Sequence, residues 1–196
     1  MASETGRIEA FSDGVYAIAI TLLILDLKVP MTPDGHLGGA LLRQWPAYFA
    51  FLVSFAFTGI MWVNHHRLFT HICRSDNRLL FLNLLLLLGV TFVPFPTALL
   101  AAHLRGADAL TAAAVFNGTY VMIAIFFNVL WHHAVDFDLL DSATLEAAGS
   151  ISRQYAIGPV AYLVCFALTW VSVPVSLGLN IALAVFFAIP PRIRPR

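Results

Sequence analysis

Residues 11–27 read FSDGVYAIAITLLILDL, an apolar run that opens on a Ser-Asp pair, carries Thr21 inside it and nearly closes on Asp26. Its length with the preceding Ile8 to Ala10 and the following Lys28 matches the roughly 20 residues that a helix needs to cross hydrocarbon. The surrounding chain settles the class. Of 196 residues, 60% are hydrophobic and 11% charged, and the mean hydropathy is +0.83. A water-soluble domain of this length carries about 25% charged residues, so this is an all-α integral membrane protein. Acidic and basic residues balance at 11 each, which leaves no nucleic-acid face.

Six candidate spans follow, over about 8–28, 46–70, 79–102, 109–132, 155–172 and 174–190. The last two share one long run, divided at SVP (172–174) because proline disfavours helix at the residue before it. Residues 30–45 are expected as an outer loop, and 136–150 (DFDLLDSATLEAAGS) as a short amphipathic helix on the inner surface. Pro94 and Pro96 kink or end the third span. With the N-terminus inside, the inner side holds Arg7, Arg67, Arg74, Arg78, Arg153, Arg192, Arg194 and Arg196, against Lys28, Arg43 and Arg105 outside. That bias places both termini in the cytoplasm of a multi-pass plasma-membrane protein. The run shows neither repeats nor a second domain, so 1–196 reads as one transmembrane unit. Cys73 and Cys165 lack metal or redox spacing and read as buried thiols.

At about 100° per residue, Arg7, Phe11, Ile18, Leu22 and Leu25 fall on one narrow stripe, with Gly14 and Thr21 on its flank. Ser12 and Asp13 lie well away from it. An ionisable group here needs a partner, and two readings stay open: a helix-start cap, or a polar network with Arg7, Asn64, His65, His66 or Arg67. Thr21 by itself reads as a hydroxyl bonded back to the Ala17 carbonyl. Asp26 either concentrates cations at an outer mouth or pairs with Lys28.

Arg7, Phe11, Ser12 and Asp13 spell R-x-x-x-F-S-D, followed by GVYAIAITLLILDL. This resembles the signature of the endolysosomal potassium channel family, transmembrane protein 175, in its prokaryotic form with one six-helix repeat per chain. The resemblance implies a homotetramer whose first helices line a central pore. It makes Ile18 the tightest constriction, Leu22 and Leu25 further aliphatic layers, and Thr21 with Ile18 the selectivity positions. Arg7, Phe11, Ser12, Asp13, Asn64 and His65 become the motif and inter-helix network. The function it implies is a potassium-preferring cation leak channel, gated by a hydrophobic constriction because no TVGYG-like segment exists. No cofactor is expected beyond permeant potassium, and the partners are lipids and copies of the same chain.

Two other classes fit the composition, a small transporter and a non-conducting scaffold; flux from liposomes under a potassium gradient separates them. No enzyme motif (GxSxG, HExxH) lies on a span. His65–His66 and His132–His133 with Asp136 lack a tetrahedral set of ligands and read as polar-network residues, not a metal site. His103 reads as a headgroup contact. Asn83, Asn117, Asn128, Asn180 and Thr91 read as hydrogen-bonding groups between helices.

Overall fold

A computed structural model describes the backbone of residues 5–188 and side chains to Val185. The inner-side arginines 192, 194 and 196 and the last residues of the sixth span lie outside the described residues. The first apolar stretch forms α1 (Gly6–Leu22), tightening into a 3₁₀ turn over Leu23–Asp26. A short α2 (Leu37–Arg43) follows, then α3 (Trp45–His71), α4 (Asn77–Phe92), α5 (Pro94–His103), α6 (Ala109–Asp136), α7 (Ser142–Leu168) and α8 (Val173–Ala188).

Five of these units are long and apolar enough to cross a membrane: Gly6–Asp26, Trp45–His71, Asn77–His103, Ala109–Asp136 and Ser142–Leu168. The third is α4 and α5 in continuation, bent at Val93 where Pro94 and Pro96 begin a new ladder. The eighth helix is described over 16 residues, Val173–Ala188, and five full-length crossings lie among the described residues.

Two boundaries differ from the sequence reading. Residues 142–150 are not a separate surface helix: Asp141 caps Ser142 onward by accepting from the Thr144 N–H at 2.9 Å, and α7 then runs unbroken for 27 residues. Small residues (Ala143, Ala147, Ala148, Gly149) let the polar start join the apolar remainder. Residues 30–45, expected as loop, contain α2. Cys73, expected buried, is exposed, whereas Cys165 is buried; neither is in a disulfide.

The helices are held by close packing and by hydrogen bonds, since hydrocarbon offers no apolar driving force between them. Phe57 of α3, Tyr120 of α6 and Tyr162 of α7 meet as a ring cluster, with centroids 4.9–5.8 Å apart. At Gly89 the Ile123 side chain of α6 packs directly on the α4 backbone, so that a Cβ there would lie 2.7 Å from Ile123 Cγ1. Asn117 donates to Thr169 at 2.9 Å and Ser176 at 2.8 Å, and accepts from Asn180 at 2.7 Å, joining α6, the α7 terminus and α8. Thr91 instead bonds back to the Leu87 carbonyl within its own helix.

Pro159 lies inside α7 and cannot donate to the Tyr155 carbonyl four residues earlier. Asn128 of α6 supplies the missing donor at 3.2 Å, while also bonding the Ala124 carbonyl at 3.0 Å. A kinked helix is tolerated in lipid when a neighbour re-satisfies the freed carbonyl in this way.

At the end holding Arg67, Arg74 and Arg78, the α3–α4 and α6–α7 connections are tied together. Ile72 and Leu140 form an isolated antiparallel bridge. The Asp76 carboxylate caps α4 through the Leu79 N–H and also meets His133 Nε2 at 2.9 Å. The Leu79 bond chiefly, with His133 adding to it, holds the Asp76 carboxyl below the usual range. His71 joins α7 through Thr144 at 3.0 Å.

Candidate functional site on the first helix

The first helix has a packed back and an uncovered front. Ser12, Tyr16, Ala19 and Leu23 are buried against α3 and α4, whereas Ile18, Leu25 and Phe11 are 63%, 61% and 57% exposed and Leu22 is 40% exposed. Arg7, Ala10, Gly14, Ala17 and Thr21 share the open side. The two sets repeat every three or four residues, as an α-helix dictates. The stripe of Ile18, Leu22 and Leu25 therefore forms one continuous aliphatic face that nothing among the described residues of the chain covers.

The back is fastened by a directed chain of hydrogen bonds. His65 Nε2 of α3 donates to Asn83 Oδ1 of α4 at 2.9 Å; Asn83 Nδ2 donates to Ser12 Oγ at 3.0 Å; Ser12 donates to the Ile8 carbonyl at 2.8 Å. All three side chains are buried. The direction is fixed at its end, because a backbone carbonyl can only accept, and this makes His65 Nε2 the donor to Asn83. The Phe69 ring stacks on His65 at 4.6 Å, and Tyr16 lies at 5.4 Å on a tilt.

Asp13 does not cap the helix, which begins seven residues earlier at Gly6. Its carboxylate accepts from Trp62 Nε1 of α3 at 2.8 Å. Nearer the helix start, Glu9 meets His66 of α3, so Glu9, Ser12 and Asp13 of α1 all reach the neighbouring helices. Asn64 stands outside this chain and lines a cavity behind α1. Arg7 lies along a surface depression with Phe11 and Asn83.

Thr21 bonds to the Ile18 carbonyl at 2.9 Å, not to Ala17. That bond consumes the hydroxyl proton and leaves the oxygen's lone pairs as acceptors on the open side. At the far end Asp26 shares a depression with Lys28, Arg43 and Arg105. No ion pair joins Asp26 to Lys28 among the described residues; the lysine donates to the Leu25 carbonyl at 2.7 Å. Of the two readings the sequence leaves open for Asp26, the ion pair with Lys28 is not formed. Among the described residues no three histidine, cysteine or acidic side chains gather as metal ligands.

Three pairings escaped the sequence reading. Asn83 was legible as an inter-helix donor, but its place between Ser12 and His65 depends on the register of three helices. Trp62 as the partner of Asp13, and Glu9 with His66, depend on the same register.

Over residues 7–94 the chain matches the profile of the family described as endosomal/lysosomal potassium channel TMEM175. A potassium channel from Chamaesiphon minutus is 52% identical over 192 residues, covering 95% of each chain. The chain belongs to the TMEM175 family. A second family member, a potassium channel from Streptomyces collinus, is 46% identical and covers 94% of this chain and 92% of its own. The fold agrees: the crystal structure of a lysosomal potassium-selective TMEM175 homologue from Chamaesiphon minutus superposes with a TM-score of 0.86 at 50% identity, over 94% of this chain and 96% of that one. The protein is accordingly a multi-pass membrane protein of an ion-channel family.

Proposed function

We propose that four copies of this chain assemble around an axis lined by α1, forming a potassium-preferring cation leak channel of the plasma membrane with both termini cytoplasmic. The reading rests on one observation above all. The aliphatic stripe of Ile18, Leu22 and Leu25 is uncovered while the opposite face of the same helix is bonded to α3 and α4. The names of the relatives, potassium channels in two bacteria, point to the same function. In this assembly α8 serves as the sixth crossing of a single channel unit.

The chemistry of such a pore follows from its side chains. A ring of four isoleucines strips water from a passing ion without offering ligands, so it closes by dewetting when narrow. The Thr21 oxygens, with lone pairs free, supply ligands one turn away and favour the cation that sheds its hydration shell more cheaply. Asp26 is the outer-mouth carboxylate, and Lys28, Arg43 and Arg105 in the same depression offset its charge. Ser12, Asp13, Asn83 and His65 hold the helix so that only its front faces the axis; Arg7 and Phe11 stand on that front, and Asn64 lines the cavity behind it.

Ile18→Asn tests this in planar bilayers. A polar ring wets the constriction, and conductance should rise or potassium preference fall severalfold. Conductance and selectivity equal to the unsubstituted channel would remove Ile18 from the conduction path.

A further inference from the structure

Behind α1 lies a half-enclosed cavity of about 110 Å³ that the channel reading does not use. Tyr16 enters it from α1, Asn64 from α3, Phe127 from α6, and Tyr155, Gly158 and Tyr162 from α7. Gly158 and Pro159 form the α7 part of the wall, and Gly158 leaves room there: a Cβ built on it meets nothing within 4 Å. The Tyr16 side chain is 3% exposed, yet its hydroxyl has no hydrogen-bond partner among the described residues. A buried phenol left unpaired is costly, and Tyr and Trp normally find a partner when buried.

Three properties define what fits. None of the lining side chains carries a formal charge, so a charged guest would be buried without compensation. Tyrosine and phenylalanine rings form much of the wall, favouring edge-to-face contact with another ring. The volume is somewhat below the roughly 150 Å³ of an engineered cavity that takes benzene, so one six-membered ring is the upper limit and about three waters the alternative filling. We propose that this cavity is an intrasubunit binding site for a small neutral aromatic alcohol, a phenol-class molecule whose hydroxyl pairs with Tyr16 while its ring packs among the aromatic walls. The site lies on the side of α1 opposite Ile18, so it is separate from the proposed pore.

The probe is 4-fluorophenol, with fluorobenzene as the ring lacking a hydroxyl, followed by fluorine NMR on the purified, detergent-solubilised full chain. 4-Fluorophenol should bind saturably. Tyr16→Phe keeps the ring and should weaken it about fivefold to tenfold, the worth of one neutral hydrogen bond, while changing fluorobenzene less than twofold. Gly158→Leu should fill the space and abolish saturable binding of both while the protein keeps its elution volume and melting profile. Linear uptake indistinguishable between native protein and Gly158→Leu would overturn the proposal. So would 4-fluorophenol binding indifferent to Tyr16→Phe, a shape-conserving change that serves even if Gly158→Leu fails to fold. The readout involves no ion flux, so the site and the pore stand or fall separately.

Discussion

Replacing Asn83 by leucine removes the central link between His65 and Ser12 while keeping a side chain of similar volume. The two ends of the link respond differently. Ser12 keeps its bond to the Ile8 carbonyl, so losing Asn83 there costs about 0.6 kcal/mol, the mean for hydrogen bonds between membrane helices. His65 has no second anchor, because its Nδ1 is already buried without a partner. Orphaning Nε2 as well costs about 1–3 kcal/mol. The variant should therefore be destabilised by about 2–3 kcal/mol, read by titrating SDS against the detergent-solubilised protein and following tryptophan fluorescence. His65→Leu in the same background supplies the control. Once both polar partners are gone no donor is stranded, so the double variant should be at least about 1 kcal/mol more stable than the two single losses added together. A loss below about 0.5 kcal/mol for Asn83→Leu, or strict additivity, would refute the directed chain.

Other expectations follow from single contacts. Gly89→Ala places a Cβ 2.7 Å from Ile123 and should cost about 1–3 kcal/mol through separation of α4 and α6, seen as a lowered melting temperature. Asn128→Leu should cost about 1–2 kcal/mol in the native chain and less in a Pro159→Ala background, where the α7 ladder can satisfy Tyr155 itself; equal losses in both would sever the link between proline and asparagine. The folded-state depression of Asp76 gives stability present above the ordinary carboxylate value of about 3.9 and lost as pH falls below it. Asp76→Asn should flatten that acid limb, and an unchanged slope below pH 4, measured by thermal melts, would exclude this group.

Much of the fold was readable because hydropathy and helical period need only local sequence. The stripe of Ile18, Leu22 and Leu25 came from spacing alone, and the SVP turn from one proline. Reading failed where one chemistry serves two structures. Residues 142–150 are polar enough for a surface helix, but Asp141 caps them and α7 continues, a continuity that depends on packing against α6. At the site, Asp13 advertised a partner without naming it. Tryptophan seldom comes first to mind as a carboxylate's donor, and Trp62 reaches it only because α1 and α3 cross at that depth.

The 3₁₀ turn over Leu23–Asp26 carries a consequence for the aliphatic stripe. In that winding residues three apart eclipse one another, so Leu25 stands in column with Leu22, whereas α-winding would set them about 60° apart. Each residue also advances about 2.0 Å instead of 1.5 Å. Relaxing this one turn would swing Leu25 sideways and draw it inward by about 1.5 Å, leaving Leu22 and Ile18 where they are. Of the three residues in the stripe, Leu25 alone thus has its place set by the winding of that turn, next to the bond that Lys28 donates to its carbonyl.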